Sequence, residues 1–125
     1  PFSVWVAACL PGALATNLLV VNNHRDAAGD RKAGKRTLAV RFGRRWAEME
    51  FDLMLGLSLL AVVLLSFFKG GPLPLLPLLL TPVALRARRG LRKAVNREDY
   101  DRVLALTALI LLAGGLLFAI GLGLS

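Results

Sequence analysis

Asn22, Asp26 and Asp30 stand at i, i+4 and i+8 in the run NNHRDAAGDRKAGKRTLAVRFG, Asn22 to Gly43, which follows directly on an apolar stretch. A helix carrying them would set an amide and two carboxylates on one face, about one turn apart. Hard oxygen ligands at that spacing suit magnesium, which keeps several waters and is commonly shared between one or two carboxylates and the phosphates of a substrate. Around the aspartates stand Arg25, Arg31, Lys32, Lys35 and Arg36. Arginine grips phosphate oxygens through paired N–H donors and lysine supplies a mobile point charge, so the segment joins metal ligands to groups for a polyanion. Such a mixture can draw charge off a departing diphosphate. Gly29 and Gly34 would let the backbone turn sharply after the helix.

The elements that must position this run are apolar. Hydrophobic residues make up 56% of the 125, too many for a soluble domain of this length, while the charge is too high for a featureless anchor. An integral membrane protein fits. A formal net charge of +8 would point to nucleic acid in a soluble protein. Here, of the 16 Lys and Arg, all but Lys69 fall between Arg25 and Arg45 or between Arg86 and Arg102. Cations confined to two short loops between apolar segments follow the positive-inside pattern, so no nucleic-acid partner is expected, and membrane lipid is.

Four apolar segments lack Asp, Glu, Lys and Arg: Phe2 to Val21, Leu53 to Phe68, Leu73 to Leu85 and Val103 to Leu124. The first and last have about the 20 residues that a crossing helix needs. The third is interrupted by Pro72, Pro74, Pro77 and Pro82, of which Pro77 and Pro82 should bend it. Parity favours its crossing, because the two basic loops want the same side and Lys69-Gly70-Gly71-Pro72 suits a tight hairpin turn. The expectation is therefore an all-α, multi-pass transmembrane bundle of about four helices, in a cell membrane, with residues 22–45 and 86–102 cytoplasmic. Asn96, Glu98 and Asp99 read as the capped start of the last helix.

By composition alone the first loop has an equally good bland reading, a topology signal whose aspartates form exposed ion pairs. The pattern NN..RD...DR..GK.TL.VR.G shifts the balance. It resembles the second aspartate-rich motif of the UbiA superfamily of membrane prenyltransferases, and within it most resembles the 1,4-dihydroxy-2-naphthoate polyprenyltransferases of menaquinone synthesis. The detailed match covers Gly12 to Gly43; the other apolar segments agree only in number and polarity with that family's C-terminal helices.

The resemblance implies a nine-helix fold around a central cavity, of which residues 1–125 would be the C-terminal part of a single transmembrane domain. It implies Mg2+ as cofactor, with Asp26 and Asp30 as its ligands and as catalytic residues, and Asn22 and Asn23 in contact with the metal or its waters. Arg25, Arg31, Lys32, Lys35 and Arg36 become diphosphate-binding candidates. The implied substrates are a polyprenyl diphosphate and 1,4-dihydroxy-2-naphthoate, giving demethylmenaquinone, diphosphate and carbon dioxide. The family's first aspartate-rich motif has no counterpart among Glu48, Glu50, Asp52, Glu98, Asp99 and Asp101. With no initiator Met either, the chain is expected to be part of a longer enzyme and inactive alone.

Two alternatives stay open: another UbiA-type aromatic prenyltransferase, of the ubiquinone, tocopherol, chlorophyll or haem pathways, or a nonenzymatic membrane protein with a basic loop. The remaining residues are expected to be structural. His24 and Tyr100 read as interfacial side chains, and the basic residues from Arg86 to Arg102 chiefly as topology. Cys9 reads as packing, Gly114 and Gly115 as sites of close helix contact, and Gly121 and Gly123 as a loosened helix end.

Overall fold

The computed structural model describes residues 1–125, and its elements are α1 (Phe2–Lys32), α2 (Leu38–Phe42), α3 (Arg44–Lys69), a 3-10 helix (Leu73–Leu80), α4 (Thr81–Lys93) and α5 (Arg97–Leu124). It is a helical membrane bundle. Val6, Leu10, Leu14, Val20 and Val21 form one buried stripe of α1, joined in the core by Phe51, Val62 and Leu65 of α3 and Val103, Ile110 and Phe118 of α5. The opposite faces carry exposed Leu53, Leu57, Leu60, Leu109, Leu112 and Leu116. In water such a surface would be an aggregation hazard. In a bilayer it is the lipid-facing side, and the helices hold together through close packing and hydrogen bonds, because lipid tails are as apolar as Leu.

Three helices, α1, α3 and α5, are long and apolar enough to cross a membrane, where about four were expected. The shortfall lies in the third apolar segment. Leu73–Leu80 winds as a 3-10 helix with Pro74 in its first turn and Pro77 inside it, where the ring of a proline clashes with the carbonyl four residues back in an α-helix, and regular α-helix resumes only at Thr81, with Pro82 in its first turn. The broken segment still runs antiparallel to α5 along that helix's apolar length. Its start lies at Gly121, its middle places Leu80 against Gly114, and Gly90 near its end meets Val103. From Val103 to Gly121 is about 27 Å of α-helix, close to the thickness of a hydrocarbon core.

Gly121 is therefore a packing residue and not a loosened end: a Cβ there would collide with the Leu73 carbonyl, while one at Gly115 would meet nothing. The hairpin before it closes as expected. Gly70 takes a left-handed conformation (φ 69°), Gly71 N–H donates to Ser66 O, and Ser66 Oγ donates to Gly71 O.

Candidate functional site

At about 45 Å, α1 is longer than a hydrocarbon core is thick, so its last three turns project past the apolar Phe2 to Val21 part. Asn22, Asn23, Asp26 and Asp30 all lie on this projection. At about 100° per residue they occupy an arc of roughly 100° on one side of the helix. The helix then stops at Gly34, whose φ of 79° lets its N–H donate to Arg31 O and the Lys35 N–H to Asp30 O. Of the two glycines expected to turn the chain, Gly34 does so and Gly29 stays helical.

The five predicted cations are disposed unequally. Arg25 clamps Asp26 with Nε–Oδ1 at 2.7 Å and Nη2–Oδ2 at 3.0 Å, and this pairing holds the Asp26 carboxyl below the usual carboxylate range. Lys35 Nζ stands 3.8 Å from Asp30 Oδ1. The Asp30 side chain is 13% exposed and that of Asp26 45%, so both can be reached from the polar side. Arg31 turns away to donate to Val40 O of α2 at 3.2 Å. Lys32 and Arg36 are exposed and belong to no ion pair.

The second basic stretch comes to the first. Arg25, Asp26, Val95, Asn96, Arg97 and Tyr100 line a polar cleft of about 360 Å³. Its wall is set by a cluster in which His24 and Tyr100 are buried and Glu48 and Arg44 reach in from the more exposed start of α3. His24 Nδ1 lies 2.8 Å from Tyr100 Oη, His24 Nε2 3.3 Å from Glu48 Oε1, and Arg44 Nη2 donates to both Tyr100 Oη (3.2 Å) and Ala94 O (2.7 Å). One donor pattern satisfies these short contacts: Arg44 donates to Tyr100, Tyr100 to His24 Nδ1, and His24 Nε2–H to Glu48. The Arg44 Nε contact to His24 Nε2, at 3.5 Å, is the longest and gives way. Burial is the main cause pushing the His24 pKa down, and it outweighs the opposing hydrogen bond that His24 donates to Glu48.

His24 and Tyr100 are thus buried, contrary to their expected interfacial place. A signal for His24 was present in the sequence, since it continues the stripe Leu10, Leu14, Asn17, Val21 at helical spacing. Nothing local announced Tyr100, Arg44 or Glu48 as its partners. Asn96 caps α5 as expected, accepting from Asp99 N–H at 2.9 Å, while the Asp99 carboxylate accepts from Val95 N–H at 3.1 Å.

The donor set bears directly on a metal. No three His, Cys, Asp or Glu side chains converge anywhere. A closed protein cage for a cation is thereby absent, and Asp26 and Asp30, with the amides of Asn22 and Asn23, offer two carboxylates and neutral oxygens only. That set fits magnesium shared with phosphate oxygens and water, and does not fit a zinc site.

A second cavity, of about 340 Å³, opens between α1, α3, α4 and α5. Leu10, Leu14, Leu59, Val62 and Ile110 are among its walls, and Asp52 and Arg88 also line it. Arg88 Nε and Arg92 Nη2 each donate to Asp52 at 2.7 Å, so two of the basic residues assigned to topology fasten α4 to α3.

Residues 1–110 match the UbiA prenyltransferase family. The chain is 33% identical over 118 residues to the 1,4-dihydroxy-2-naphthoate octaprenyltransferase of Mycobacterium tuberculosis, covering 92% of this chain and 40% of the relative. To the protein of the same name in Mycobacterium leprae it is 37% identical over 108 residues, covering 83% of this chain and 35% of the relative. The chain thus spans about two fifths of the length of these curated relatives. No solved structure matches it.

Proposed function

This chain belongs to the UbiA prenyltransferase family, and from that membership we propose that the protein containing it transfers a polyprenyl group from its diphosphate to 1,4-dihydroxy-2-naphthoate. The observation that carries the reading is the placing of Asp26 and Asp30 one turn apart on the polar extension of a membrane-length helix, ringed by cations. A long isoprenoid tail stays in lipid and its charged head reaches that edge. The names of the mycobacterial relatives support the choice of acceptor.

In the proposed reaction the allylic C–O bond to diphosphate breaks, a C–C bond forms to the electron-rich ring, and the ring carboxylate leaves as carbon dioxide. Demethylmenaquinol, the reduced form of the quinone, and diphosphate are the other products, because the exchange of carboxylate for prenyl leaves both ring hydroxyls in place. Asp26 and Asp30, with Asn22 and Asn23, would hold Mg2+. When bound, the ion supplies Lewis-acid charge to the leaving diphosphate. Arg25, Lys32, Lys35 and Arg36 bind and orient the phosphate oxygens, neutralising charge that develops as the bond breaks. Arg31, held by Val40 O, must release that bond to join them.

Four of the chain's six other acids have other employment: Glu48 at His24, Asp52 at Arg88 and Arg92, Glu98 at Arg102, and Asp99 in the α5 cap, while Glu50 and Asp101 belong to no ion pair. In this reading the chain is the C-terminal part of the transmembrane domain and the rest of the site comes from elsewhere in the protein, which the two-fifths coverage of the relatives supports. The basic ends of α1, α4 and α5 lie on the cytoplasmic side of the cell membrane in this reading.

The test is prenyl transfer by membranes containing the full-length protein, with dihydroxynaphthoate and a polyprenyl diphosphate, before and after chelation of magnesium. Product that disappears with the chelator and returns with Mg2+ is expected. Product from another aromatic acceptor alone would move the protein to a different branch of the family, and metal-independent turnover would overturn the roles of Asp26 and Asp30.

A further inference from the structure

Arg97 opens α5 and lines the polar cleft together with Arg25 and Asp26. Of the seven cations between Arg86 and Arg102 it alone lines that cleft. Arg88, Arg92 and Arg102 are each matched to a carboxylate, whereas Arg97 belongs to no ion pair. The one carboxylate in the cleft, Asp26, is already clamped by Arg25. Arg97 therefore lines the cleft with no ion-pair partner of its own, within charge–charge range of Asp26, while Arg25 also feels Asp101, and a cation added at Asp26 would make the cleft more positive.

The chain holds Arg97 there from both sides. Just before it, Ala94 O accepts from Arg44 and Asn96 closes the capping box with Asp99. Three residues after it, Tyr100 is anchored to His24 and Arg44. An arginine whose backbone is bracketed in this way loses little freedom on gripping an anion, and its planar fork suits phosphate oxygens.

We infer that Arg97 is a diphosphate-binding residue, reaching the phosphate oxygens across the cleft from Asp26, and that the clasp of His24, Arg44 and Tyr100 positions it. This deepens the function proposed above and rests on its diphosphate substrate. The second basic loop then completes the anion site begun by the first.

The experiment uses the full-length protein in lipid nanodiscs with Mg2+, reading calorimetric binding of inorganic pyrophosphate and the separate KM values for polyprenyl diphosphate and aromatic acceptor. Arg97→Gln is expected to weaken pyrophosphate binding and raise the KM for the diphosphate by about tenfold, the scale of one charge-assisted hydrogen bond. The acceptor KM stays unchanged, and Arg97→Lys recovers part of the loss. Arg89→Gln, in the same basic stretch but outside the cleft, keeps wild-type values.

An Arg97→Gln protein indistinguishable from Arg89→Gln, or one raising both KM values equally, overturns the inference. Should the glutamine variant not fold, Arg97→Ala and Arg97→Lys decide by the same binding comparison. Asp26→Asn separates the two levels. Wild-type turnover in that variant defeats the underlying reading, while its inactivity beside wild-type pyrophosphate binding by Arg97→Gln defeats only the role of Arg97.

Discussion

His24 on α1 and Tyr100 on α5, separated by 76 residues, meet through a 2.8 Å hydrogen bond at a histidine whose side chain is wholly buried. That bond fastens the aspartate-bearing end of α1 to the start of the last helix. Tyr100→Phe keeps the ring and removes the hydroxyl, leaving His24 Nδ1 without its donor and Arg44 without one acceptor. A loss of about 1–3 kcal/mol of stability is expected, read as a lower unfolding temperature of the full-length protein in detergent. An unchanged transition would mean that the clasp bears no strain on the fold.

The same histidine predicts a pH dependence. Its native pKa lies below the ordinary 6.5, so the unfolded chain takes up the proton at a higher pH than the folded one. The contribution to stability is complete above 6.5 and is lost as pH falls from 6.5 toward the lowered native value. Unfolding followed across that window should show the slope, and His24→Gln should flatten it. A variant with the same slope would assign the dependence to another group.

Asp26→Asn and Asp30→Asn each exchange a charged oxygen ligand for an amide at a polar edge. Turnover by the full-length protein should fall by about a hundredfold or more, the kinetic equivalent of losing several kcal/mol of charge stabilisation. The yield of folded protein should hold, because neither carboxylate belongs to the core. Activity near wild type in either variant would remove that residue from the site.

Gly121→Ala places a methyl group against the Leu73 carbonyl, which as backbone cannot swing aside. Destabilisation of about 1–3 kcal/mol is expected from the overpacking, while Gly115→Ala meets nothing within 4 Å and should be near neutral. Thermal unfolding of the two variants side by side makes the comparison. Equal behaviour would show that the 3-10 helix and α5 do not approach as closely as described.

Arg92 shares Asp52 with Arg88, and its side chain is 44% exposed. Arg92→Gln should cost no more than about 1 kcal/mol and leave prenyl transfer by the full-length protein unchanged. A collapse of activity would give this arginine a substrate contact in place of a fastening one.

Much of this architecture was legible in the chain. The spacing of Asn22, Asp26 and Asp30 announced one helical face, Asn96 and Asp99 announced a helix start, and Gly70 and Gly71 a hairpin. Each is a local property, governed by residues within a turn or two of one another. The bundle's membrane character was equally plain, because hydropathy sums over a segment regardless of what the segment touches. The prolines at 77 and 82 signalled a bend, and only the fold showed its form, a 3-10 helix leading into α4, the two together keeping pace with α5 from Gly121 to Val103.

What the tertiary structure alone decided is which distant residues meet. The sequence determined that Asp26 would stand among cations, and the fold added Arg97 to them from the start of α5, 71 positions further along. His24 continues the spacing of α1's buried stripe yet reads by its type as an interfacial side chain, and only the packing of α1 against α3 and α5 buried it and supplied Glu48, Arg44 and Tyr100 as its partners. The physical reason is the same in both cases. A side chain's charge and helical phase are properties of its own segment, whereas a hydrogen bond between helices depends on their crossing and register, which the whole packed bundle sets together.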